Sequence, residues 1–218
     1  MMKPLDSWLL RIGGALLLTT LGPLVPAQAA DADLLSFSAD VVRSRADKKS
    51  PVTRGKLYVS PEAIRGEGPR NGVLVVRIHH PHRKLVHILI PSQKIYSEQT
   101  GIEESFPPLP DDPQSPCRTD KKMICRQVGN EMIDGRRTFH WEIATRGADN
   151  RESFQAHLWI DPRLKMAIRE RYADGLTVEL NNIQEAPQSL ELFVVPQDFQ
   201  KVTPASPPPA PGDAPRMP

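Results

Sequence analysis

Four of the six histidines fall close together, at His79, His80, His82 and His87, and imidazole is the commonest side chain for holding a metal ion. A tight turn at His80-Pro81-His82-Arg83 would bring His79, His82 and His87 within coordinating reach of one another. The spacing matches no structural zinc motif, and Arg83 and Lys84 oppose a cation. A polar hairpin tip is the simpler reading, with pH sensing as another use. His79, His82 and His87 stand as the metal candidates, and no cofactor is expected.

Other residues could meet a ligand. Arg65, between Ile64 and Gly66, could engage a head group or carboxylate, or pair with Glu67 or a cross-strand acid. Phe139, Trp141, Ile143 and Trp159 could line a ligand hollow or serve as ordinary core. Cys117 and Cys125 lie too far apart for a Cys-x-x-Cys redox pair, and in an oxidising compartment they read as a local disulfide. Nothing matches a nucleophile elbow, a phosphate loop or a metalloprotease motif, and no pair of acids has a spacing that marks an acid/base couple. A catalytic triad is defined by geometry rather than by the presence of its residues, so the chain reads as non-enzymatic.

The elements that must position these residues are short alternating segments. In Arg137–Thr145, Phe139, Trp141 and Ile143 share one side while Thr138, His140, Glu142 and Ala144 share the other, the period of a strand with one buried face. Similar segments run Leu34–Val42, Thr53–Val59, Ala63–Glu67, Val73–His79, Leu85–Ile90 and Lys94–Ser97. After an interruption come Cys125–Ile133, Ser153–Ile160, Lys165–Tyr172 and Leu176–Ile183, and Leu190–Val202 forms the last structured piece. Asp134-Gly135 and Asp174-Gly175 are hairpin turns. Glu98–Lys122 carries five prolines (Pro107, Pro108, Pro110, Pro113, Pro116) and reads as a surface excursion, a lid or a plain insertion. The expectation is a mainly β chain: one antiparallel, strongly curved sheet of about ten strands with little helix.

Residues 1–29 read as a cleavable export leader. Lys3 and Arg11 precede or flank an apolar run, and Ala27-Gln28-Ala29 fits a small-x-small cleavage site. The run is shorter than the ~20 apolar residues of a spanning helix, and no later run could span a bilayer. The expected organisation is a leader over 1–29, one β domain over 30–202 and a disordered Pro-rich tail over 203–218. Lys and Arg total 28 against 26 Asp and Glu; without Lys3, Arg11 and Asp6 the formal charge is +1. That balance gives no electrostatic case for nucleic acid. The compartment expected is the periplasm.

The order of segments resembles the LolA/LolB-like superfamily of periplasmic lipoprotein carriers and its DUF4412-type relatives. The likeness rests on Phe37-Ser38-Ala39-Asp40, Gly55-Lys56-Leu57-Tyr58-Val59, Ile64-Arg65-Gly66-Glu67 and the run Ile88 to Tyr96. It continues through Gly129 to Phe139, Leu158-Trp159-Ile160-Asp161 and Leu192-Phe193-Val194-Val195-Pro196. The resemblance implies an unclosed half-barrel whose apolar hollow, partly covered by a lid, receives lipid acyl chains, and it places Arg65 where the family carries an Arg. The covering helices of the carriers are not evident here; a Pro-rich loop stands in one of their places. The expected function is a non-enzymatic carrier or chaperone for a lipid, a lipoprotein acyl chain or another apolar ligand. An envelope protein–protein interaction or sensing module is the alternative, and metal binding at the His hairpin is a third.

Overall fold

The computed structural model describes residues 36–47, 50–101, 112–117 and 122–203; the expected leader, and the tail beyond 203, lie outside them. Among the described residues, twelve strands form one open sheet. β1 (Phe37–Arg45), β2 (Thr53–Val59), β3 (Ile64–Arg70), β4 (Val73–His80), β5 (Leu85–Ile90) and β6 (Ile95–Thr100) make a first meander. β7 (Met123–Ile133), β8 (Arg136–Arg146), β9 (Glu152–Asp161), β10 (Met166–Tyr172) and β11 (Leu176–Glu185) make a second. The two join at the middle, where β1 pairs antiparallel with β11, so the sheet order is β12-β6-β5-β4-β3-β2-β1-β11-β10-β9-β8-β7. The Pro-rich excursion is therefore the crossover between meanders, leaving β6 near one edge and entering β7 at the other. That topology explains its length.

The alternation in the sequence becomes the two faces of this sheet. Turn chemistry sets the registers: Asp134 and Gly135 both have positive φ (50° and 73°), as do Asn71 and Gly72 (51° and 78°), the requirement of a two-residue type I′ hairpin. The corners at Pro81 and Pro91 are single 3-10 turns closed by Lys84 and Lys94 in the left-handed region. Register shifts at Ser38/Asp40, Gln127/Gly129, Ile143/Ala144 and Ala167/Arg169 mark bulges, which bend strands and increase twist.

The fold class matches the expectation, with twelve strands in place of about ten. β3 runs on to Arg70 and β6 to Thr100, because cross-strand pairs such as Gly68↔Val75 and His87↔Glu98 continue the ladder beyond its apolar residues. Leu190–Val202 is not another rung of the meander. After β11 the chain makes a 3-10 turn at Leu190–Phe193 and ends in β12 (Gln200–Lys201), parallel to β6. Gln200 N donates to Lys94 O (2.9 Å) and Val202 N to Tyr96 O (2.8 Å). Leu192, Phe193, Val195 and Phe199 pack on Ala63, Val76, Ile78 and Leu89. This strap covers one face of the first meander and protects its edge.

Candidate functional site

Six neighbouring strands contribute to one cavity of about 300 Å³. Val41 and Arg43 come from β1, Leu57 from β2, Gly66 and Gly68 from β3, and Val75 and Arg77 from β4. Across the sheet centre, Glu170 and Tyr172 come from β10, and Leu176, Val178 and Leu180 from β11. Laid flat, six strands span ~24 Å, whereas a cavity of that volume is only about 8 Å across if spherical. The sheet must curl around it.

The register shows why these side chains converge. Ala39 faces Leu57, Leu57 faces Gly66, and Gly66 faces Arg77 across successive ladders, so all four share one face. On the other side Val41 faces Leu180 and Arg43 faces Val178, which in turn faces Glu170. Room exists because β3 presents Gly66 and Gly68 on this face; a Cβ at Gly66 would meet nothing within 4 Å. Two larger hollows, of about 540 and 480 Å³, lie against Asp40, Lys56 and Asn182. They are shallower than the first, so the curled cavity is the better ligand site.

Its charged and polar lining residues are Arg43, Lys56, Glu67, Arg77, Glu170 and Tyr172. Glu170 is buried, and Tyr172 donates its hydroxyl to Glu170 Oε2 at 2.7 Å. Burial pushes the Glu170 carboxyl above its ordinary range, against the opposing pull of the Tyr172 hydrogen bond and the Arg43 charge. Burial, then the neighbouring Glu170 charge, pushes the Tyr172 phenol up as well. Arg43 brings its guanidinium to within 3.7 Å of the space beside Gly68. The result is an apolar cradle with guanidinium groups from Arg43 and Arg77 and a protonatable acid in its wall.

The residues singled out in the sequence fall into three places. Phe139, Trp141 and Ile143 share the cavity face, since Trp141 faces Leu158 and Leu158 faces Glu170. They are buried among themselves with Ile160, and the Cys117–Cys125 disulfide packs against them. The staple thus pins the end of the Pro-rich crossover to the cavity side of β7. Ala167 touches this cluster and also lines the cavity. Trp159 lies on the other face, opposite Arg169 and His140.

Arg65 also points away from the cavity. Its Nε donates to Glu67 Oε1 (2.6 Å) and its Nη1 to the Leu192 carbonyl (2.8 Å), so it fastens the strap. The His hairpin does not converge: His79 faces Val86 whereas His87 faces Ile78, which puts their side chains on opposite faces. His87 instead meets His80 edge-on at 5.6 Å and lies 3.6 Å from Glu98. Among the described residues no three His, Cys, Asp or Glu side chains are grouped to hold a metal.

Two groups were missed in the sequence. Arg43 and Glu170 carried a signal, since each interrupts the apolar register of its strand on the buried side. The second group, His140 and His157, lies on adjacent strands and only the β8–β9 register brings them together. His140 Nε2 is 3.1 Å from His157 Nδ1, His140 Nδ1 is 2.9 Å from Glu131 Oε1, and the His140 ring stacks on Trp159 at 4.2 Å. Burial holds the His140 imidazole below its ordinary range, as do the neighbouring His157 and Arg171, while Glu131 pulls the other way.

No family model and no curated protein matches the chain. Solved structures do. An uncharacterized conserved protein from Thermus thermophilus aligns at 15% identity and TM-score 0.50, over 79% of this chain and 92% of that one. Pseudomonas aeruginosa MucB, solved with MucA, aligns at 14% identity and TM-score 0.48, with 79% of this chain and 59% of that one covered. A LolA superfamily protein from Nitrosomonas europaea aligns at 11% identity and TM-score 0.36, over 74% and 90% of the two chains. What is shared with the Thermus thermophilus protein is the fold alone, an open and mainly antiparallel sheet. No helix among the described residues is long and apolar enough to cross a membrane.

Proposed function

We propose that the protein is a non-enzymatic carrier that shelters an apolar chain in the curled half of its sheet. The observation that carries this reading is the cavity itself: a hollow of about 300 Å³ walled by Val41, Leu57, Val75, Val178 and Leu180. Apolar area removed from water is worth ~25 cal/mol per Å² and needs no directional chemistry. Phe139, Trp141 and Ile143 back the cavity as a packed wall, while Arg43 and Arg77 receive the polar end of the guest. The described end of the Pro-rich crossover, residues 112–117, is fastened on the same face by the Cys117–Cys125 disulfide. Residues 1–29 direct export to the periplasm, and 30–202 form the carrier domain.

The test is a titration of the purified protein with a fluorescent fatty acid, paired with native mass spectrometry. Saturable uptake at one site, reversed by unlabelled fatty acid, is the expected result. A ligand-free chain that ignores the probe up to millimolar concentration overturns the reading. One observation favours docking to an envelope protein instead: β7 is an outer strand and exposes Met123, Val128 and Met132, features of a sheet edge that adds a partner strand. A stoichiometric protein partner, with no lipid uptake, would establish that alternative.

A further inference from the structure

On the face of β8 and β9 turned away from the cavity, we infer a binding site for a late first-row divalent cation, Cu²⁺ foremost, with His140 Nε2 and His157 Nδ1 as its protein ligands. The two nitrogens are 3.1 Å apart. At metal–nitrogen distances of ~2.0–2.1 Å they subtend about 95–100° at a shared ion. That angle falls between the ~90° of a cis pair in a tetragonal Cu²⁺ or Ni²⁺ site and the ~109° of tetrahedral Zn²⁺. Imidazole suits all three, and Cu²⁺ binds most tightly in the general order of affinities.

The surroundings supply what a ligating histidine needs. Glu131 Oε1 lies 2.9 Å from His140 Nδ1, so the carboxylate accepts that N–H and leaves the Nε2 lone pair free for the ion. This carboxylate–histidine arrangement orients the ring and raises its basicity. Trp159 stacked at 4.2 Å fixes the plane of His140, and Phe154 packs at 5.0 Å on His157. In the absence of a cation His157 donates its Nδ1–H to His140 Nε2. The ion takes its place as the His157 proton moves from Nδ1 to Nε2, so neutral rings release no net proton.

Local charge does not forbid the ion. Arg171 faces His157 from β10, and Glu142 faces it from β8, held there by Arg126. Arg169, beside Trp159, is paired with Glu179. The two rings leave the other coordination positions to water or to a small ligand.

The experiment is a calorimetric titration of tag-free, full-length protein with CuCl₂ in a non-chelating buffer, together with electron paramagnetic resonance of the loaded protein. One equivalent should bind, with hyperfine lines from two imidazole nitrogens. H140A and H157A should each weaken binding at least tenfold, and E131Q by ~10–100-fold, the usual cost of losing such a partner. A triple alanine variant of His80, His82 and His87 should bind as the parent does. Binding that survives both H140A and H157A, or that follows the hairpin histidines instead, overturns the inference. Should H140A misfold through loss of the Trp159 stack, the spectrum of the parent protein and the H157A titration decide, and a spectrum without imidazole nitrogens refutes the site.

Discussion

Replacing Gly66 by Phe separates the cavity from the fold. The cavity of about 300 Å³ equals roughly ten water volumes, space for a chain of roughly eight to ten methylenes. At ~0.8 kcal/mol per buried methylene the gross gain is ~6–8 kcal/mol. Association costs at least ~4 kcal/mol, and a charge-assisted bond from Arg43 or Arg77 returns ~1.5–3 kcal/mol. The net predicts a Kd between about 10 µM and 1 mM. A Cβ at Gly66 meets nothing within 4 Å, so the new side chain starts into open space, and its benzyl group takes the place of about five methylenes. The loss is then ~4 kcal/mol, a weakening of at least about a hundredfold. Stability should rise by ~1–3 kcal/mol, since a strand glycine gives way to a buried aromatic, and the melting temperature by a few degrees. Fatty-acid probe titration and calorimetry measure the two effects. G129F, on β7 and away from the cavity with equally open space at its Cβ, should leave probe binding unchanged. A folded G66F protein that binds the probe within threefold of the parent refutes the assignment.

Three further outcomes follow from single contacts. Because the folded-state pKa of Glu170 is raised, folding takes up a proton between the ordinary carboxylate range and that raised value. Stability should therefore fall as pH climbs through that interval and level off above it; E170Q should remove the slope and melt higher than the parent at alkaline pH, as read by denaturant titrations across pH. Removing both cysteines frees a loop closed over a sequence separation of 8, worth about 2–3 kcal/mol in the chain-entropy account, and should shift Trp141 fluorescence to the red as its cover loosens. R65A should cost ~1.5–3 kcal/mol through the lost charge-assisted bond to the Leu192 carbonyl, and hydrogen exchange should quicken over residues 190–202 while probe binding persists.

The sheet was legible in the sequence because period-two alternation and turn residues act locally: Phe139, Trp141 and Ile143 declare one face within five positions, and Asp134-Gly135 declares the reversal. What lay hidden depends on register between distant segments. Trp141 and Trp159 look alike in sequence, yet pairing of Trp141 with Leu158 puts Trp159 on the other face. Arg65 resembles a ligand-binding residue until Leu192, 127 positions away, supplies its acceptor. The hollow appears only when Gly66, on β3, and Val178, on β11, are brought round to the same side, a consequence of curling that no segment encodes by itself. His140 and His157 likewise meet on a diagonal between neighbouring strands, a distance set by the β8–β9 ladder rather than by any motif.

An empty apolar hollow is costly, and its cost clarifies why the rest of the sheet is built shut. A hollow of about 300 Å³ that opens to solvent is not a dry void, so the ~24 cal/mol per Å³ of an enclosed cavity sets only an upper bound of ~7 kcal/mol on its cost. Water around Arg43, Arg77 and Glu170 lowers that figure, and Val41, Leu57 and Leu180 are themselves buried in the main core with Phe37, Val59 and Ile168. The compensation lies on either flank: the strap with Phe193 buried on one meander, and the Phe139–Trp141–Ile143 cluster under its disulfide on the other. Those packed regions hold the intervening strands in a curl that they would otherwise relax to close the void. A guest that fills the hollow adds contacts and stabilises the folded chain by mass action. A fatty acid at a hundred times its Kd should accordingly add ~2.7 kcal/mol to unfolding, and G66F, already filled, should show no such increment.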